Sequence, residues 1–203
     1  MTDQMLESVL STAQMARNHV PHCCAEHCHA RHYAYGAIAP GWERKLAELA
    51  RQHGYSFHRD HLPEVTAGPG CSGFTVGSFR GLSFQERREV ANLGIAEYSI
   101  HYKPSTRAEE FSVAVHELAH AVLGHPDHEL PPQVREFEHE MPVRLASVAV
   151  CKAAGLKTGR MAICQLATRM RRYGRAITLE HQNAGLIAAR VIGKSLSGQL
   201  AAA

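Results

Sequence analysis

The segment His116-Glu117-Leu118-Ala119-His120 constrains this chain more than any other feature, because it is an HExxH motif. Residues i and i+4 of an α-helix lie on one face, about one turn apart. His116 and His120 can therefore bind one metal ion, and this spacing is typical of zinc hydrolases. Glu117 can accept a proton from a water molecule that zinc makes more acidic. The motif predicts a Zn²⁺ site with Glu117 as its catalytic residue.

The residues around the motif predict the helix that this chemistry requires. Thr106 followed by Glu109 indicates a capping box at the start of the helix. Gly124 with Pro126 indicates its end. Between these signals, apolar side chains recur at helical spacing, namely Phe111, Val115, Leu118 and Val122.

A zinc site in a hydrolase needs a third protein ligand. The histidine-ended signature HExxHxxGxxH is excluded, because the chain has Leu123 and Pro126 where that signature needs glycine and histidine. A second helix, predicted from about residue 133, carries Glu136, Glu138 and Glu140. Glu140 is favoured, because the positions that share its helix face downstream are apolar. Glu138 is the alternative.

The remaining pattern predicts an α+β fold, in which a small sheet of short strands packs on the HExxH helix with several helices after it. Strands are predicted over residues 55–59, 74–77 and 97–103, and the last alternates Tyr98, Ile100 and Tyr102 with polar residues. Helices are predicted over residues 3–18, 42–53, 83–94, 108–123, 133–155, 159–173 and 179–194.

The sequence also predicts the buried faces of two of these helices. The helix from residue 133 is expected to kink or restart at Pro142. Its inward residues are predicted to be Val134, Phe137, Met141, Leu145 and Val148. The inward residues of the last helix are predicted to be Ile187, Val191 and Ile192.

Residues 1–39 are predicted to form an N-terminal segment, and residues 40–203 a zincin-like metallopeptidase domain. The N-terminal segment contains a first helix, expected as an appendage, and a cluster rich in metal-binding side chains. Its spacing matches no common zinc finger, which favours a flexible segment that binds metal adventitiously over a structural zinc site. The cluster consists of His19, His22, Cys23, Cys24, His27, Cys28, His29 and His32.

Composition sets wider bounds. The chain has 203 residues, 45% of them hydrophobic, and a formal net charge of +3. This charge neither requires nor excludes a nucleic-acid partner, and the basic run within residues 169–175 is interpreted as a solvated helix end. Six cysteines without the spacing of a secreted domain, and no apolar run of membrane-spanning length, predict a cytoplasmic protein without a membrane partner.

The motif and its surroundings resemble the ImmA/IrrE metallopeptidase-like proteins. The resemblance covers about residues 40–157 and includes the His116–His125 segment, the preceding Gly73-Phe74-Thr75 and the later run Val148–Leu156. It is strongest to zincin-like domains of bacterial plasmids, phages and integrative elements, some linked to ArdC-type antirestriction proteins.

This resemblance implies a zincin fold in which His116, His120 and a downstream glutamate hold zinc, and in which Glu117 activates water. The glutamate is matched to Glu140, although the Met141-Pro142 pair that follows departs from the family pattern. Family members often cleave a repressor or regulator protein, which implies a substrate of that kind here.

The leading functional prediction is a zinc-dependent endopeptidase that acts on an intracellular protein or peptide. Tyr102, Tyr173 and His181 are considered as donors to the oxyanion, but a packing role is favoured for each. The alternative is a non-catalytic zincin-fold binding module of a mobile element, antirestriction or DNA-associated. In a third interpretation the motif is accidental and the helix is structural. The sequence predicts neither the substrate nor the oligomeric state.

Overall fold

The computed structural model describes residues 2–18, 34–59, 73–76, 92, 99–102, 105–125, 130–158 and 160–200. The His/Cys cluster predicted within residues 19–32 lies outside the described residues, as does nearly all of the helix predicted over residues 83–94. The described residues form a mostly helical α+β fold with six helices and two small sheets, as predicted at that level. None of these helices is both long and apolar enough to cross a lipid bilayer.

The described elements follow the predicted order, but the short strands over 34–35 and 157–158 were not predicted, and the last helix extends six residues beyond its predicted end. The helices are α1 Thr2–Asn18, α2 Trp42–Gln52, α3 Arg107–Val122, α4 Pro132–Ala153, α5 Arg160–Tyr173 and α6 Leu179–Leu200. The strands are β1 Ala34–Tyr35, β2 Ser56–Arg59, β3 Gly73–Val76, β4 Ser99–Tyr102 and β5 Lys157–Thr158.

Strand β4 lies at the centre of a three-stranded sheet with the order β2-β4-β3. It runs parallel to β2 and antiparallel to β3, while β1 and β5 form a separate antiparallel pair. The sheet is joined to the helices by aromatic side chains. Trp42 of α2 lies 6.2 Å from the ring of Tyr102 and 5.4 Å from that of Phe111 in α3. These contacts place α3 against one face of the sheet.

The prediction that β4 alternates buried apolar residues with exposed polar ones is wrong for the polar residues. Ile100 and Tyr102 are buried as expected, but Ser99 and His101 are buried as well. The ring of His101 is bonded to the hydroxyl of Ser99 at 2.9 Å and stacks on His58 of β2 at 4.8 Å. These contacts satisfy the polar groups, so a central strand can bury both faces.

Helix α1, which the sequence assigned to the N-terminal segment and treated as an appendage, packs into the common core. It lies against α4, α5 and α6. Its buried face is the predicted one, formed by Met5, Val9, Ala13 and Ala16.

Helix α3 begins with the predicted cap. The hydroxyl of Thr106 accepts a hydrogen bond from the backbone N–H of Glu109 at 3.4 Å. The next residue, Glu110, is buried and accepts bonds from Arg59 of β2 at 2.6 Å and from the backbone N–H of Ser105 at 2.7 Å. The first turn of α3 is therefore fixed both to its own N-terminal loop and to the sheet.

Helix α4 is one continuous helix through Pro142, so the break expected there does not interrupt it. Proline inside a helix costs about 3 kcal/mol, because it removes a hydrogen bond and crowds the preceding turn. Met141, Val143 and Leu145 are fully buried around it. Burial of each such side chain contributes about 1.5–3 kcal/mol, which offsets the cost of the proline.

The buried face predicted for α6 is partly wrong, because α6 packs closely on α4. Ile187 is 56% exposed, contrary to prediction, and the inward side of α6 is formed by Ala188, Ala189 and Ile192. A Cβ atom on Gly185 would lie 2.9 Å from the carbonyl oxygen of Pro142, so the two helices approach too closely for bulky side chains. On α4, Val134 is also exposed rather than inward.

We expect Gly185→Ala to lower the free energy of unfolding by about 1–3 kcal/mol, because the added methyl group meets backbone that cannot move. Asn183→Ala is the matched control on the same helix, because Asn183 is exposed and alanine favours helix over asparagine. Urea denaturation should show a lower free energy of unfolding for Gly185→Ala but not for the control variant. Equal stability of the two variants would contradict the close approach of α6 to α4.

Candidate metal centre

Helices α3 and α4 bring three metal-binding side chains together. The Nε2 atoms of His116 and His120 lie 3.7 and 3.3 Å from Oε1 of Glu140. In the part of the chain that the structure describes, these residues form a group whose ligand atoms all lie within 4.8 Å of one another and that could hold a metal ion. Two ligands come from one helix face, and the third comes from a different helix.

The separations fit coordination of a common ion better than direct hydrogen bonding. Direct N–H···O bonds are about 2.7–3.2 Å long. Ligand atoms placed about 2.0–2.2 Å from a tetrahedral zinc ion lie roughly 3.3–3.6 Å from one another. The observed 3.3 and 3.7 Å are close to that range. Two imidazoles and one carboxylate are also a donor set that zinc hydrolases use, with a fourth position left open.

The protonation states also suit metal binding. Burial lowers the pKa of His116, and the opposing effect of Glu140 does not restore it. Burial acts to raise the pKa of Glu140, but the charge of Arg144 and the contacts with the two imidazoles outweigh burial and hold the pKa of this carboxyl well below its usual value. A neutral imidazole and an ionised carboxylate are the forms that coordinate a metal.

Two arginines engage the second oxygen of Glu140. Arg144, one turn later on α4, places Nη2 2.8 Å from Oε2, and Arg169 of α5 places its Nη2 3.6 Å from the same atom. Arg144 also donates to the side-chain oxygen of Gln165. With Oε2 held by guanidinium groups, Oε1 is the oxygen directed at the histidines.

Sequence patterns did not assign either arginine to the site. Arg144 had a usable signal, because it lies four residues after Glu140, which is the spacing of an ion pair on one helix. Arg169 reaches Glu140 from another helix, so no local pattern could identify it.

Glu138, the alternative third ligand, lies in a different group of contacts. Its carboxylate is bonded to Nε2 of His181 at 2.8 Å and forms an ion pair with Arg175, whose Nη2 lies 2.5 Å from Oε1. His181 in turn accepts the backbone N–H of Thr178 at 3.0 Å and so completes a cap at the start of α6. Glu138 therefore joins α4 to α6, and of these two glutamates it is Glu140 that reaches the histidine pair.

The remaining predicted residues are placed as follows. Glu117 follows His116 directly on α3 and is 7% exposed. Tyr102 packs in the aromatic core, where burial raises its pKa to about 12. Tyr173 packs against Phe137, and His181 is bonded to Glu138. The three side chains considered as oxyanion donors thus have structural contacts of their own.

We expect the purified protein to bind about one Zn²⁺ per chain, measured by metal analysis after removal of free ions. His116→Ala, His120→Ala and Glu140→Gln should each weaken zinc binding strongly, because each removes one of three protein ligands. Glu138→Gln is the matched control and should retain the metal. Loss of zinc from Glu138→Gln but not from Glu140→Gln would contradict the assignment.

Comparison with known proteins does not assign the chain to a family: no family model, curated protein or solved structure matches it. The resemblance to the ImmA/IrrE metallopeptidase-like proteins remains a prediction that rests on the motif and its flanking residues. The function is therefore argued from the geometry of the site.

Proposed function

We propose that this protein is a zinc-dependent endopeptidase of zincin-like architecture, in which His116, His120 and Glu140 hold the metal and Glu117 is the general base. One observation carries the proposal: both motif histidines direct Nε2 at the same oxygen of a glutamate on a separate helix. A structural helix with an accidental motif would have no need for this convergence. The resemblance in sequence supports the same reading and suggests a regulator or repressor protein as substrate.

Zinc, when bound, would polarise the scissile carbonyl group and increase the acidity of a water molecule. The protein's own residues carry the proton. Glu117 accepts it from the attacking water and transfers it to the leaving amine. Glu117 lies between His116 and His120 in the same turn of α3 and is buried.

Arg144 and Arg169, which contact Oε2 of Glu140, add positive charge close to the proposed metal ligands. With zinc bound, the site stays formally positive even when Glu117 and Glu140 are both ionised. Fixed positive charge in a partly buried site stabilises an oxyanion more effectively than it would in water. We assign this role to the guanidinium groups rather than to Tyr102, Tyr173 or His181.

The sheet offers a place for an extended substrate. Strand β3 pairs only on its β4 side among the described strands, and it packs against α3, which carries the motif. An extended peptide can add to such an edge through backbone hydrogen bonds, largely independent of its sequence. This arrangement favours a peptide substrate over a small molecule.

We expect Glu117→Gln to keep its zinc and to lower peptide hydrolysis by at least about 100-fold, because the amide cannot accept the proton. The probe is an unfolded carrier protein together with a mixture of random-sequence peptides, with cleavage followed by mass spectrometry. Glu109→Gln makes the same change two turns earlier on α3, where glutamine can still accept the hydroxyl of Ser105, and should retain activity.

The proposal would be overturned if the zinc-loaded protein cleaved none of these probes and if the Glu117→Gln variant kept the activity of the protein in cells. That result would indicate the non-catalytic binding module instead. Equal cleavage by the wild-type protein and Glu117→Gln would contradict the role of Glu117 while leaving a metal-dependent reaction in place.

A further inference from the structure

The end of α3 brings a third histidine to the metal-binding group. Nδ1 of His120 lies 3.0 Å from Nδ1 of His125. We propose that His125 is a positioning residue, which holds His120 in the tautomer and orientation that zinc binding requires. The inference rests on the proposed zinc site and adds a residue that acts through His120 rather than on the metal itself.

A left-handed glycine places His125 there. Helix α3 ends at Val122, and Gly124 has a φ angle of 68°. The backbone N–H groups of Leu123 and Gly124 bond to the carbonyl oxygens of Ala119 and Ala121, both at 3.1 Å. This turn, which favours glycine because other residues are strained at such angles, directs the next residue back towards the last turn of the helix.

Metal binding by His120 would determine which ring nitrogens carry protons in this contact. A neutral imidazole carries one proton, and the nitrogen without it offers a lone pair. Nε2 of His120 faces Glu140 and must offer its lone pair to the metal, so its proton lies on Nδ1. The bond between the rings is then donated by His120 and accepted by Nδ1 of His125. Partners of this kind set the tautomer and the ring orientation of metal ligands.

His125 is itself held firmly. It is 9% exposed, and its ring stacks on that of His139, with centroids 4.0 Å apart and planes 8° from parallel. His139 precedes Glu140 on α4. The ring of His125 therefore bridges the end of α3 and the turn of α4 that presents the third ligand.

The common partner of a metal-binding histidine is a carboxylate or a backbone carbonyl. His125 is a neutral acceptor, so it orients His120 without adding negative charge. This choice agrees with the other contacts of the group, since Arg144 and Arg169 on Glu140 are cations. These contacts of His120 and Glu140 would thus add no negative charge around a bound ion.

Two variants of the chain distinguish a role of His125 as a hydrogen-bond acceptor from a role in packing. His125→Phe keeps a ring to stack on His139 but removes the acceptor, and its zinc affinity should fall about 10- to 100-fold. His125→Asn places an amide oxygen where Nδ1 was, and its affinity should stay within about threefold of wild type. The measurement is competition for Zn²⁺ with a chromophoric chelator. Thermal unfolding of the metal-free proteins shows whether a loss reflects the fold.

His139→Phe is the matched control, because it keeps the stack without touching His120, and it should bind zinc like the wild-type protein. Wild-type affinity in His125→Phe, or equal losses in His125→Phe and His125→Asn, would overturn the inference and leave the proposed endopeptidase standing. A wild-type protein that binds no zinc would overturn both. Retained affinity in His125→Asn with a loss in His125→Phe supports the positioning role even if both variants are less stable.

Discussion

The contact between α3 and α4 at Glu140 is the interaction on which the site depends. It is made by two buried helices whose surroundings are apolar, with Phe111 and Leu118 on one and Phe137 on the other fully buried. A bond from the hydroxyl of Ser147 to the backbone carbonyl of Ser112, 3.1 Å long, joins the same two helices further along. The core fixes the distance between the helices, and that distance allows a carboxylate from one to meet imidazoles from the other.

Burying Glu140 is unfavourable unless its charge is compensated. The structure provides compensation from the protein itself, through Arg144 on the same helix and Arg169 from α5. The carboxylate is consequently ionised and oriented before a cation arrives. The arginines also explain why part of the basic run near the end of α5 faces inward. Arg169 is partly buried and contacts Glu140, whereas Arg171, Arg172 and Arg175 are exposed, although Arg175 also contacts Glu138.

Local patterns predicted the parts of the structure that local physics determines. The cap at Thr106, the turn at Gly124 and the starts of the described helices follow from neighbouring residues, and the pair His116 and His120 follows from helical spacing. The failures involve contacts between distant segments. The burial of His101 requires the neighbouring strand, and the exposure of Ile187 follows from the close approach at Gly185. Arg169 reaches the site from a helix that no motif connects to it.

Three consecutive residues of α4 show why the sequence alone did not decide which of two glutamates would be the third ligand. Successive side chains on a helix point about 100° apart. Glu138 therefore meets the cap of α6, His139 stacks on His125, and Glu140 meets the motif histidines. All three are polar and partly or fully buried, so composition and burial alone cannot rank them. The deciding factor is the rotation of α4 about its own axis, which is set by the fully buried side chains of Phe137, Met141 and Leu145 on the face between the two glutamates. A shift of that rotation by one residue would present an imidazole, not a carboxylate, to the pair on α3, so the identity of the third ligand is a consequence of core packing.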